Sequence, residues 1–270
     1  WRADRPQKGR FREFYQCDKD VIGSETLSIL YDAEIPSIIY DLFKKLNIGD
    51  FTIRINNRKI LTGFFNSLEL NSKVTDILRI IDKIEKIGED EVKSELSLLD
   101  IDSDKVSKII DFIRINGDAF TKIERLKNLG ITDEVYNKGV NELETVINNI
   151  KARGLDSNFY DVDLTIARGL DYYTGTVYET ILKDYPSIGS VCSGGRYENL
   201  ATYYTDKKLP GVGISIGLTR LFYQLKEAGV IKTTDSSVAD ITILPMTENY
   251  EYVYKFSNLL KRFGVRVDTA

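Results

Sequence analysis

The 270-residue chain contains no histidine. That absence removes Ser-His-Asp and Cys-His nucleophilic catalysis, imidazole general bases and His-ligated metals together. Any chemistry must run on arginines, carboxylates, backbone donors or groups that a substrate brings. Cysteine is almost as scarce. Cys17 and Cys192 lie far apart with no CxxC spacing, so neither a disulfide scaffold nor a zinc site is signalled. No apolar run approaches the roughly 20 residues needed to span a bilayer, and no secretory signal is visible. The expectation is a cytoplasmic protein with no membrane partner. An excess of positive charge is lacking too: the formal charge is −4, which argues against a protein that coats nucleic acid nonspecifically.

What is present is ordinary for a soluble globular chain, with 42% hydrophobic and 29% charged residues. The length allows a sizeable core and more than one domain. Charge is unevenly spread. Arg2, Arg5, Lys8, Arg10 and Arg12 crowd the amino end against only Asp4 and Glu13, whereas acid outnumbers base across 71–150. The chain starts on Trp1 and stops on Ala270 inside an apparent strand, so it reads as a piece of a longer polypeptide.

Residues 10–20, RFREFYQCDKD, alternate as an extended strand does, with Arg10, Arg12, Phe14, Gln16, Asp18 and Asp20 on one face. The preceding RPQKG turns the chain, which predicts a hairpin over 1–20 with a long basic loop. A helix is expected over 34–47 and a strand over 51–56. From about 58 to 150 the period becomes helical: Val74, Ile77, Leu78, Ile81, Ile84 and Ile87 recur at three- and four-residue steps, as do Val106, Ile109, Ile110 and Ile113. This predicts a helical insertion between two sheet-forming segments, 1–57 and 151–231. Strand signals return over 159–183, with Thr174-Gly175 as a turn, and continue through SVCSGGRYENL and GVGISIG to a helix from about Leu218 to Ala228. KTTDSS at 232–237 reads as a linker, and 238–270 reads as the start of an α/β domain.

Four strings carry candidate chemistry. WRADRPQKGRFREFYQCDKD could hold a phosphate, a base and an amine, guanidinium being suited to phosphate by its fixed fork and permanent charge; a solvated, charge-rich hairpin is the alternative. ARGLDYYTGTVYE at 167–179 places Arg168 and Asp171 before a turn, and alternation sends Tyr172 and Tyr173 to opposite faces of a strand. A hairpin with an aromatic core and a structural Arg–Asp pair fits it as well. In SGGRY, two glycines allow a backbone close to a ligand, or a tight turn or bulge. In GVGISIGLTRL, Gly211, Gly213 and Gly217 would let a flat base lie on the backbone with Arg220 reaching its phosphates; the spacing is neither GxGxxG nor a P-loop.

In order and wording these strings resemble the histidyl-tRNA synthetase family almost throughout the chain. RADRPQKGRFREFYQCD looks like class II motif 2, ARGLDYYTGTVYE and CSGGRYENL like the two histidine-specific signatures, and GVGISIGLTRL like motif 3. TIRINNRKILTGFF is similar to the corresponding segment in the branch that includes eukaryotic enzymes. The resemblance implies an α+β fold: a class II antiparallel sheet flanked by helices, with a helical insertion and the opening of an anticodon-binding domain. It implies histidine, ATP with Mg²⁺, and tRNA(His) as partners, and a homodimer in the full-length protein. Motif 1, most of the anticodon-binding domain and an upstream acidic residue expected at the amino group are missing from this stretch. By the same resemblance Arg2 meets the ATP α-phosphate, Phe14 stacks on adenine, Arg220 meets the γ-phosphate and Gly217 lines the nucleotide site. Arg168 stabilises charge at the α-phosphate beside the histidine carboxylate. Arg10 lies near that carboxylate, Gln16 and Asp20 near the amino group, and Tyr172, Tyr173, Gly194, Gly195 and Tyr197 around the imidazole. The competing reading is a non-catalytic relative, a regulatory subunit or an uncharged-tRNA sensor. Such proteins often lose the phosphate-binding arginines, whereas Arg2, Arg168 and Arg220 are all here.

Overall fold

The computed structural model describes the chain except residues 4, 7, 8, 167, 168, 170, 171, 233–236 and 270, and the side chains of residues 85, 201 and 203. It divides into two compact units, Trp1–Gln224 and Leu225–Ala270. The first is an α+β unit built on a six-stranded sheet. Its strands are β1 (Cys17–Ile22), β2 (Phe51–Asn57), β3 (Tyr160–Val162), β4 (Thr176–Leu182), β5 (Cys192–Tyr197) and β6 (Gly211–Ile216), in the order β1-β6-β5-β4-β2-β3. Every pairing is antiparallel except β2 with β3.

Alternation gives the two faces opposite characters. In β6, Val212, Ile214 and Ile216 point to one side and Gly211, Gly213 and Ser215 to the other. The apolar side packs on α1 (Leu30–Leu46), whose Ala33, Ile35, Ile39 and Phe43 are fully buried. A buried ion pair fixes this contact. Arg196 of β5 donates from Nε and Nη2 to Asp32 Oδ1 at 3.0 and 2.6 Å, and from its other donors to the carbonyls of Leu27 and Ser28. Thr176 Oγ1 donates to Asp32 Oδ2 at 2.6 Å and Tyr178 Oη to the Asp32 carbonyl at 2.7 Å. Burial pushes the Asp32 carboxyl above its ordinary range, and the Arg196 hydrogen bonds pull it back.

Between β2 and β3 lies the expected helical block, including α2 (Arg58–Ser67), α3 (Val74–Ile81), α4 (Ile84–Ile87), α5 (Glu89–Ser97), α6 (Ser103–Ile113), α7 (Ala119–Lys127) and α8 (Glu134–Ala152). Asp102, Asp118 and Asp133 cap the last three, accepting the amides of Lys105, Thr121 and Tyr136 at 2.9, 2.7 and 2.8 Å. Phe64 of α2 stacks on Phe112 of α6 at 3.9 Å between centroids. The α2 and α8 helices meet backbone to backbone: a Cβ at Gly139 would stand 2.7 Å from the Ile60 nitrogen, and one at Gly63 2.3 Å from that of Tyr136. Glu142 of α8 joins the block to the end of β2, accepting from Asn57 Nδ2 at 2.8 Å and Lys59 Nζ at 2.5 Å.

The hairpin expected over 1–20 is corrected. The strand begins at Cys17, because β6, the partner of β1, ends opposite it at Ile216. Upstream the chain takes other partners. The Arg2 amide donates to the Arg12 carbonyl at 2.9 Å, while Tyr15 and Thr219 bond through Tyr15 N to Thr219 Oγ1 at 2.8 Å and Thr219 N to the Tyr15 carbonyl at 3.3 Å. A second correction concerns 163–175, whose described residues form no strand. The amides of Tyr172 and Tyr173 both donate to the Gly169 carbonyl, at 3.0 and 2.9 Å, and their rings touch edge-on instead of facing apart. The first helix starts earlier than expected, at Leu30, and ends where Asn47 turns left-handed at φ 49°.

Strand β6 leads into α9 (Leu218–Glu227). In the second unit β7 (Ile241–Ile243) pairs in parallel with β8 (Val267–Thr269), joined through α10 (Tyr250–Arg262). Arg266 grips Asp240 from Nη2 and Nε at 2.6 and 3.2 Å, which holds that carboxyl down at about 2. Most of the expected linker lies outside the described residues. Among the described residues no helix is long and apolar enough to cross a membrane.

The contact of α2 with α8 has no room for a side chain at Gly139. Gly139→Val should lower the stability of the folded protein by about 2 kcal/mol or more in urea unfolding. An unchanged midpoint would contradict the described packing.

Candidate active site

The second face of the sheet carries the site. Register puts Ser193, Gly195 and Tyr197 of β5 beside Ser215, Gly213 and Gly211 of β6, and these beside Asp18, Asp20 and Ile22 of β1. Two of the glycines are already covered from within the protein. A Cβ at Gly211 would lie 2.3 Å from the Tyr197 ring, and one at Gly213 2.1 Å from Asp20 Oδ1. They therefore seat a tyrosine and a carboxylate, not the flat base expected over Gly211 and Gly213. Gly217, where a Cβ would meet only Arg220 Cβ at 3.6 Å, stays open.

Above this floor lies a cavity of about 390 Å³. Among the described residues Arg2, Arg10 and Arg220 line it, together with Phe14, Gln16, Tyr173 and Gly217. The Arg2 guanidinium stands over the Phe14 ring, 5.0 Å from its centroid, and donates to Gln16 Oε1 at 3.2 Å. Gln16 Nε2 in turn donates to Ser215 Oγ at 2.5 Å, so both ends of the amide are fixed. Arg220 Nη2 donates to the Ile188 carbonyl at 2.9 Å. Arg10 and Phe14 reach the cavity along an irregular path, not by strand alternation.

Tyr173 joins the cavity to an aromatic and acidic cluster. Its ring lies where a Cβ of Gly195 would come, at 2.8 Å, and also within 2.2 Å of one at Gly169. Tyr172 touches Tyr173 at 4.9 Å and Tyr197 at 5.5 Å between centroids, and Tyr197 Oη donates to Asp20 Oδ1 at 2.9 Å. Burial, then the neighbouring Tyr172 and Asp20, pushes the Tyr173 phenol up to about 12. Burial and the Asp20 hydrogen bond raise Tyr197 as well. Among the described residues the cluster thus offers the Asp20 carboxylate among phenols that remain protonated.

Gly194 is placed apart from the others. It faces the α1 side, where a Cβ would lie 2.1 Å from the Gly213 carbonyl and clash with Ile214. SGGRY is neither a tight turn nor a bulge but a regular central strand. Arg168 and Asp171 lie outside the described residues. Ser193 and Ser215, paired across β5 and β6, line the cavity without having been singled out. Their signal was parity, each being two residues from a glycine of the same face.

Such a sheet, backed by a helix on one face and carrying an arginine-lined cavity on the other, has the catalytic fold of class II aminoacyl-tRNA synthetases. Residues 1–221 match the family described as Histidyl-tRNA synthetase. The chain is 57% identical over 262 residues to a histidine–tRNA ligase of Clostridium tetani, covering 97% of this chain and 60% of that protein. It is 48% identical to one of Trichormus variabilis, over all of this chain and 59% of the relative. A crystal structure of histidyl-tRNA synthetase from Nostoc sp. PCC 7120 superposes with a TM-score of 0.82 at 48% identity, over 96% of this chain and 62% of that one. A Bacillus halodurans protein described as an ATP phosphoribosyltransferase regulatory subunit/histidyl-tRNA synthetase shares the fold at 18% identity and TM-score 0.69. The chain belongs to the histidyl-tRNA synthetase family and spans about 60% of the length of the curated relatives it matches.

The Tyr173 shift has a sign that can be checked. A phenol at about 12, above its ordinary 10, is held neutral by the fold; the stability this contributes is present below pH 10 and lost as pH rises through 12. Spectrophotometric titration of the native protein should lose no tyrosinate signal below about pH 11 on Tyr173→Phe. A lost titration step near pH 10 would show that the ring is solvated.

Proposed function

We propose that this chain is the catalytic part of a histidine–tRNA ligase working in the cytoplasm as a homodimer. It activates histidine with MgATP to histidyl-adenylate and pyrophosphate, then passes histidine to the 3′ end of tRNA(His). The observation that carries this reading is one cavity lined by Arg2, Arg10 and Arg220 that meets, at Tyr173, a carboxylate set among tyrosines.

Arginines and phenols suit the two halves of the reaction. The histidine carboxylate is already ionised, so its attack on the α-phosphate needs no general base, consistent with a chain that has no histidine of its own. Catalysis is alignment plus stabilisation of phosphoryl charge. In this reading Arg2 meets the α-phosphate, adenine takes the face of Phe14 that Arg2 does not cover, and Gly217 lies beside the nucleotide. Arg220 holds the γ-phosphate, and its bond to the Ile188 carbonyl aims it. Arg168 faces the reacting α-phosphate, a role that rests on the signature string alone. Mg²⁺ arrives with ATP as part of the substrate.

On the histidine side, Arg10 lies near the carboxylate. Gln16 turns its oxygen toward Arg2 and so presents an acceptor to the substrate ammonium. Asp20 we assign to the imidazole rather than to the amino group. It sits in the tyrosine cluster, where a carboxylate is a stronger acceptor for a ring N–H than the phenol oxygens of Tyr173 and Tyr197, and where Tyr197 already donates to it. Gly195 lets Tyr173 approach the sheet, Tyr172 packs behind it, and Gly194 serves the tight contact of β5 with β6. The helical block is an insertion in the catalytic unit, and 238–270 opens the anticodon-binding domain.

The test is histidine-dependent ATP–pyrophosphate exchange by the full-length protein. Exchange should require histidine. Gly213→Ala, which crowds Asp20, should raise KM for histidine about tenfold or more with KM for ATP nearly unchanged. No exchange from a folded dimer would sink the enzymatic reading and favour the regulatory relative.

A further inference from the structure

The cavity face of β2 carries two buried polar side chains that no role above uses. Arg54 is 7% exposed and Asn56 fully buried. A single guanidinium here serves several groups: Nε donates to Asp163 Oδ2 at 2.5 Å, Nη2 to Thr165 Oγ1 at 3.2 Å, and Nη1 to Glu179 Oε2 at 3.5 Å. Asn56 Nδ2 donates to the Ile166 carbonyl at 3.1 Å. The 163–166 segment is braced internally as well. Asp163 Oδ1 accepts from Thr165 N and Oγ1 at 2.9 and 2.6 Å, and the Asp163 amide donates to the Ile55 carbonyl at 2.9 Å.

The far side is tied in the same way. The Arg58 amide, just past β2, donates to the Gly175 carbonyl at 2.9 Å, and the Thr174 amide donates to the Arg196 carbonyl at 2.9 Å. Both flanks of the stretch 167–173 are therefore bound to the sheet, most of the ties coming from β2 and the residue after it. That stretch contains Arg168 and Tyr173.

Placing a guanidinium and the Glu179 carboxylate in a nearly dry position, with a half-buried Asp163 beside them, carries a desolvation cost that apolar residues of similar volume would avoid. Holding two strands together does not require it, since β2 and β4 already share a seven-residue ladder. A planar fork with donors in fixed directions is suited instead to setting several acceptors at one geometry. We infer that Arg54, helped by Asn56, is a positioning residue for adenylate formation: it fixes the segment 163–166, which leads into the stretch containing Arg168, and so sets how Tyr173 is presented to the cavity. It touches neither substrate. The inference rests on the role proposed for Arg168. A displacement of about 1 Å in such a group is enough to cost on the order of a hundredfold in rate.

The experiment uses the full-length protein with Arg54→Met, Arg54→Lys and the milder Asp163→Asn, each checked for an unchanged melting temperature; Asp163→Asn stands in if the Arg54 variants do not fold. In pyrophosphate exchange, kcat should fall about tenfold or more while KM for ATP and for histidine stays within about threefold. Arg54→Lys should recover only part of the loss, because an ammonium cannot reproduce the fork. Combining Arg54→Met with Arg168→Ala should slow the reaction no further than Arg168→Ala alone, the mark of a residue acting through another. Unchanged kcat in a folded variant, or losses that multiply in the double variant, overturns the inference. A readout independent of activity is trypsin cleavage after Arg168, followed by mass spectrometry, which should quicken at least about fivefold in Arg54→Met or Asp163→Asn. If the parent shows no exchange but cleavage quickens, the functional reading falls and the bracing role stands. If cleavage does not change, the bracing role itself is wrong.

Discussion

The site depends on the buried pair between Arg196 and Asp32. Arg196 belongs to β5, the strand whose other face floors the site, and Asp32 to the helix that covers the apolar side. The pair therefore sets how deep β5 lies against α1, and through the Thr174 amide on the Arg196 carbonyl it also sets where the turn into β4 begins. Removing one partner of such a pair costs about 3–5 kcal/mol, because the remaining charge is left buried and unsatisfied. Loss of Arg196 would also let go of the Leu27 and Ser28 carbonyls, and loss of the Asp32 side chain would let go of Thr176.

From that anchored strand the rest of the site follows by exclusion of side chains. Gly195 and Gly213 face each other across β5 and β6, and each missing Cβ is replaced by a functional group from elsewhere: the Tyr173 ring over the first, the Asp20 carboxylate over the second. Tyr197 then closes over Gly211 and donates to Asp20. The tyrosine end of the site is in this sense a set of side chains lying flat on a bare backbone, while the other end is a set of arginines from irregular chain near β1 and from α9. Tyr173 belongs to both. The long helical insertion leaves this arrangement intact because its last helix returns to the strand from which the block departs, through Glu142 on Asn57 and Lys59.

Much of this was legible in the sequence where local pattern and global fold agree. The helical period over 58–150, the strands FTIRIN and GVGISIG, and the strand–helix–strand end all have regular partners, so periodicity sufficed. Of the side chains that the family strings named, Arg2, Arg10, Phe14, Gln16, Tyr173 and Arg220 line the cavity, whereas Gly194 faces the other side of the sheet and Arg168 lies outside the described residues. Pattern failed where partners are irregular. RFREFYQ alternates like a strand, but β6 has already given way to α9 opposite it, so its even residues reach the cavity by another route. The paired tyrosines sit on a turn at Gly169 because their amides share one carbonyl, which alternation has no means to foresee. Arg54 and Asn56 carry no motif of their own. Only their burial and their bonds to residues more than a hundred positions away reveal what they hold.

The central claim is that one cavity receives histidine at its tyrosine end and ATP at its arginine end. A crystal structure of the full-length protein with a non-hydrolysable histidyl-adenylate analogue tests it most directly. The account predicts the imidazole between Tyr173 and Asp20 over Gly195 and Gly213, adenine on Phe14, and the α-phosphate mimic between Arg2 and Arg168. An imidazole bound away from Asp20, or an analogue seated outside this cavity, would contradict it.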